Sequence, residues 1–106
     1  MIRHATLAIA LTLLTGMAHA AGMIEQACNR SDRGAANPRI CNCIQQIADQ
    51  SLTRADQKLA AGFFADPHQA QVIRQSDDRR HEAFWQRYKR FTAYSQTYCA
   101  SIPRGS

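Results

Sequence analysis

The sequence predicts an all-α protein, a small irregular bundle of about four helices held by two disulfides. Three observations carry that expectation. Strand signals are scarce, with no alternating apolar–polar run, no Asn-Gly or Asp-Gly turn and few β-branched residues beyond residue 20. Helix start signals recur along the chain in legible form. Four cysteines also stand in a short chain whose first twenty residues read as an export leader.

The leader has a positively charged start, Met1-Ile2-Arg3-His4, and an Ala- and Leu-rich run from Ala5 to Met17. It closes on Ala18-His19-Ala20, the small residues that a signal peptidase reads, which predicts cleavage before Ala21. The run is shorter than the roughly 20 apolar residues needed to span a bilayer, so the mature chain is expected to have no transmembrane segment. Cys28 follows Glu25-Gln26-Ala27 and is not placed for a lipid anchor. Residues 1–20 are thus expected to be a signal peptide and residues 21–106 a single helical, disulfide-linked domain, periplasmic or secreted. Removing 20 of 106 residues leaves 86, and Arg3 leaves with the leader, so the formal charge falls from +5 to +4. A core in so short a chain is marginal without covalent staples. The basic excess aids solubility and attraction to anions, and is too small to indicate nucleic acid.

The helices follow in order. A short turn is expected around Met23 to Cys28, and Arg30 to Ala36 is expected to be an exposed loop. Asn37-Pro38, a cap followed by proline at the first helical position, opens a helix through about Gln50. Thr53-Arg54-Ala55-Asp56 resembles a capping box with Asp in place of Glu, and Leu59 with Phe63 gives an i, i+4 apolar pair. Asp66-Pro67 starts a short helix to about Gln75 that buries Ala70, Val72 or Ile73. The longest helix runs from Asp77 or Asp78 to about Ala100, its acidic start suiting the helix dipole, and Ile102 to Ser106 trail as a tail.

An even cysteine count in an exported chain favours two disulfides. On a helix, Cys41 and Cys43 point about 200° apart and cannot bridge each other, so one reaches Cys28 and the other Cys99. Cys43 lies nearer the centre of the Ile40, Ile44, Ile47 stripe, which favours Cys43–Cys99 with Cys28–Cys41 over the crossed arrangement. Phe91 and Tyr98 are expected to pack around the longer bridge.

The densest chemical text is Phe84-Trp85-Gln86-Arg87-Tyr88-Lys89-Arg90-Phe91. Aromatics among cations suit single-stranded nucleic acid. At helical spacing, however, Phe84, Tyr88, Phe91, Ser95 and Cys99 form one stripe with Arg79, Lys89 and Arg90 opposite, the pattern of an amphipathic helix docked on a core. The remaining functional reading is contact of Arg87, Lys89, Arg90 and Trp85 with an anionic surface, peptide or polysaccharide. Metal handling would need the Cys41-Asn42-Cys43 thiolates, for which oxidation competes, and no Cys-x-x-Cys knuckle is present. His68 and His81 read as surface histidines. Catalytic signatures are missing: no Gly-x-Ser-x-Gly, no phosphate loop and no His-Glu-x-x-His. Neither an enzyme nor a cofactor is expected.

Arg39-Ile40-Cys41-Asn42-Cys43-Ile44-Gln45, then Ala48-Asp49-Gln50-Ser51-Leu52, Ser76-Asp77, Phe84-Trp85 and the closing Cys99 resemble a group of small exported four-cysteine proteins of alphaproteobacteria loosely labelled "arginine transporter". The resemblance covers most of residues 28–99 and brings no catalytic motif. A permease needs several membrane spans and a two-lobed solute-binding protein far more chain, so the label implies at most an accessory or small binding module. A bound arginine would want a carboxylate and an aromatic plate, for which Asp49, Asp56, Asp66 and Trp85 are the residues of the right type. Three expectations result: a non-enzymatic module recognising a periplasmic protein or an anionic envelope component, capture of a small molecule such as arginine, and metal or redox handling through Cys41 and Cys43.

The exported form is expected to begin at Ala21 and to carry no free thiol. Intact mass with and without reduction before alkylation checks both parts, and retention of residues 1–20 or alkylation without reduction would remove the compartment argument.

Overall fold

Five helices occur in the residues that the structure, a computed structural model, describes: 22–31 and 37–103. They are α1 (Met23–Arg30), α2 (Pro38–Ser51), α3 (Arg54–Ala65), α4 (His68–Arg74) and α5 (Arg79–Cys99), with no strand among the described residues. The expected signal peptide (residues 1–20), positions 32–36 of the expected loop and positions 104–106 of the expected tail lie outside the described residues.

The all-α class is as expected, while the helix number is five instead of about four. The added helix is α1, expected only as a short turn. Eight residues are too few to hold a helix in isolation, and Gly22 at its N-cap offers no side-chain acceptor. The missing cap comes from another helix: Gln45 of α2 accepts the Glu25 N–H through Oε1 at 2.9 Å. A methyl group at Gly22 would overlap the Gln45 side-chain amide, so glycine is what lets that amide reach the start of α1. Gln45 is buried and donates through Nε2 to Asp49 Oδ1 (2.8 Å) and Gln57 Oε1 (2.9 Å), which joins α1, α2 and α3 in one polar network.

The other starts are local, as their sequences imply. Asn37 Oδ1 accepts the Ile40 N–H at 3.2 Å, with Pro38 following at the first helical position. Thr53 and Asp56 form a complete capping box: Oγ1 of Thr53 accepts the Asp56 N–H (3.1 Å) and Oδ2 of Asp56 accepts the Thr53 N–H (3.2 Å). Asp66 Oδ1 accepts the His68 N–H (3.2 Å), and Asp78 Oδ1 accepts the Arg80 N–H (2.8 Å). That last bond is the main reason the exposed Asp78 carboxyl titrates below the ordinary aspartate range.

Helix α1 packs on α2 and α3, α5 on α2, and α4 on α3 and α5. The buried core is Ile24, Ala48, Leu52, Ala60, Phe63, Ile73, Phe84 and Phe91, with Ile44, Ile47, Leu59 and Tyr88 packed against it. In α4 Ile73 is the buried residue and Val72 is 48% exposed. Tyr88 sits within 6.0 Å, centroid to centroid, of Phe63, Phe84, Trp85 and Phe91, and burial raises its phenol above the ordinary range.

The structure joins Cys28 to Cys41 and Cys43 to Cys99. Cys41 and Cys43 stand at opposite edges of the inward arc of α2, so one staple draws in α1 and the other the end of α5. Asn37 Nδ2 donates to the Pro103 carbonyl (3.2 Å) and adds a polar tie at the same end of α2. Tyr98 does not pack around the longer bridge as expected; it is 62% exposed, because α5 turns it away from α2 while Cys99 and Phe91 point inward.

The bridges span 13 and 56 positions. On the chain-entropy model their contributions differ by about 1 kcal/mol. Cys99→Ser is therefore expected to lower the melting temperature by about 5 °C more than Cys28→Ser. Equal shifts would contradict the ranking, and scanning calorimetry of the two variants checks it.

Candidate binding surface on the last helix

The residues singled out in the sequence separate into three environments. Arg87 points along α5 toward α3 and closes a two-pronged ion pair on Asp56, donating through Nε to Oδ2 (2.6 Å) and through Nη2 to Oδ1 (2.9 Å). Asp56 is 5% exposed, whereas the Arg87 side chain keeps 34% of its surface. The guanidinium holds the Asp56 carboxyl below the ordinary range against the opposing effect of burial, helped by the Thr53 N–H. Arg87, expected beside Lys89 and Arg90 as an anion contact, is thus taken up by the fold.

Trp85 is half-buried, its ring 5.1 Å from that of Tyr88, and belongs to the edge of the core. Lys89 and Arg90 are exposed. Tyr94, which the sequence reading missed, and Tyr98 are exposed as well, at 49% and 62%, with ring centroids 6.4 Å apart and planes at 32°, on the Arg90 side of α5. Arg90, Tyr94 and Tyr98 succeed one another at i, i+4 spacing and form one ridge. The signal was present in the sequence as two tyrosines off the Phe84–Cys99 stripe, in a stretch from Ala83 to the end with no acidic residue.

The carboxylates considered for arginine are each engaged. Asp49 Oδ1 accepts the Gln45 and Gln57 amides, Asp66 caps the start of α4 and accepts Gln69 Nε2 (3.4 Å), and Asp56 already holds the guanidinium of Arg87. All four cysteine sulfurs are joined in disulfides, and among the described residues no group of three or more His, Cys, Asp or Glu side chains is placed to hold a metal. His81 is half-buried, with Nδ1 2.6 Å from Ser76 Oγ, which also accepts the Asp78 N–H (3.2 Å). That serine is committed to the α4–α5 turn.

An open groove of about 480 Å³ lies where α3, α4 and α5 meet, and among the described residues it is lined chiefly by Phe63, Phe64, Pro67, Ala70 and Tyr88, with no charged side chain. No helix among the described residues is long and apolar enough to cross a membrane. Comparison with known proteins gives no match to a family model, a curated protein or a solved structure.

Asp56→Asn is expected to cost about 2 kcal/mol at neutral pH, between a solvated surface pair and a buried one. A depressed carboxylate stabilises the fold above its unfolded-state value and loses that effect as pH falls through the folded one, so the gap between wild type and Asp56→Asn should close below about pH 4. Arg87→Lys should recover only part of the stability, because an ammonium cannot make both bonds. Urea unfolding of the three proteins between neutral and acid pH checks the sign, and a gap independent of pH would contradict it.

Proposed function

We propose that the protein is a non-enzymatic binding module that works in a periplasmic or secreted setting and recognises a protein or an anionic envelope component through the solvent side of α5. The observation that carries this reading is the separation of cations on that helix: Arg87 is consumed by Asp56, while Lys89 and Arg90 remain exposed, Arg90 in line with Tyr94 and Tyr98, on a segment without acidic residues. Cations that contribute little to folding and stand next to exposed aromatic rings supply long-range attraction and contact area together. The disulfides support the setting, because such bonds persist in oxidising compartments.

Capture of a small molecule is the second reading, and the groove at Phe63, Phe64 and Tyr88 favours it. Its volume falls in the range of ligand sites, and its described lining of Phe63, Phe64, Pro67, Ala70 and Tyr88 suits an apolar ligand. Ligand-dependent melting separates the two readings, since a ligand that binds the folded state raises the melting temperature by mass action.

Lys89→Glu combined with Arg90→Glu is expected to leave helicity and melting nearly unchanged. It should weaken retention of the native partner recovered from periplasmic extract, more strongly at low than at high salt. Circular dichroism and pull-down at two ionic strengths check both halves, and full retention under both conditions would reduce this side of α5 to a solubility surface.

A further inference from the structure

We infer that the Arg90–Tyr94–Tyr98 ridge is a track for a linear, carboxylate-bearing polysaccharide, a deepening that rests on the binding-module reading above. The two tyrosine rings are exposed, lie 6.4 Å apart and have planes inclined by 32°, so two apolar rings succeed each other along the helix axis. Four residues separate them, a rise of about 6 Å, which is on the scale of one sugar ring to the next in an extended chain. The flat faces of consecutive pyranose rings can therefore rest on consecutive tyrosines while each phenol stays free at the rim to exchange hydrogen bonds with ring hydroxyls.

Arg90 continues the row by one more turn and is exposed, in position to receive a carboxylate from a neighbouring sugar through its planar fork. Lys89 adds charge from the adjoining side, and no Asp or Glu occurs from Ala83 to the end of the chain to repel a polyanion. Charge complementarity thus selects an acidic chain over a neutral one. The ridge is convex, and Arg90, Tyr94 and Tyr98 line neither the groove at Tyr88 nor the furrow between α1 and α3. Protein hot spots fill pockets with buried anchors, whereas a sugar chain needs only exposed ring faces in register, so the form of the surface favours the polysaccharide over an acidic peptide.

Calorimetric titration of the full mature chain with a mannuronate hexasaccharide tests the inference, with a neutral mannose hexasaccharide and hexaglutamate as comparisons. The expected result is binding of the uronate chain that falls at least tenfold in Tyr94→Ala/Tyr98→Ala at all salt concentrations. In Arg90→Gln the loss should be smaller and fade as salt is raised. Both variants change exposed residues, and their circular dichroism should match wild type. Uronate and glutamate chains binding alike, with no effect of the tyrosine variant, would overturn the polysaccharide track while leaving a charge-driven binding surface intact. Tighter binding of hexaglutamate that depends on the tyrosines would overturn it in favour of an acidic peptide, and equal binding of the neutral hexasaccharide would overturn the role of Arg90. Absence of binding by all three chains would also overturn the track, and the pull-down with Lys89→Glu/Arg90→Glu then decides separately whether the binding-module reading survives.

Discussion

The rest of the structure hangs on two cysteines separated by a single residue of one helix. Because a helix advances by about 100° per residue, Cys41 and Cys43 cannot face the same neighbour, and a helix bearing both must be stapled at two edges of its buried arc. Helix α2 is therefore the centre of the molecule. One bridge secures α1, eight residues without a cap of its own, and the other secures the far end of α5. In a chain with so small a core these two bonds stand in for surface that the fold is too short to bury.

The second organising joint is Asp56, where local and long-range demands meet on one carboxylate. Its position three residues after Thr53 completes the capping box of α3, and its burial would be costly were it not met by a guanidinium. Arg87 supplies that partner from thirty-one positions away and so ties α3 to α5. The pairing also sorts the cations of α5 by role. The basic residue that reaches inward becomes part of the scaffold, and those pointing outward are left for contact with something else. The binding surface proposed above is the remainder after the fold has used the charges it needs.

Helix-based legibility was uneven for physical reasons that particular residues make plain. The starts of α2, α3, α4 and α5 could be read from Asn37, Thr53, Asp66 and Asp78 because their caps are local hydrogen bonds between near neighbours. The sequence around α1 signals no more than a turn because its cap, Gln45, lies twenty residues downstream of Glu25 on another helix. Arg87 was grouped with Lys89 and Arg90 because charge and spacing alone do not reveal a buried acid on a different element. Tyr98, expected to pack around the longer bridge, adjoins Cys99 in sequence but points about 100° away from it on the helix.

The sequence by itself determined the class of this protein: all-helical, with an even set of cysteines, four local helix starts and an amphipathic last helix. The helix starts and the amphipathic pattern are written in residues within a turn or two of one another, where backbone geometry leaves few choices, and the cysteine set is a matter of counting. The tertiary structure alone decided that α1 forms, that Arg87 is structural, and that Tyr94 and Tyr98 stand in solvent as a pair. Those outcomes depend on which groups meet across long stretches of chain, and that is fixed by packing and burial, which no local pattern encodes.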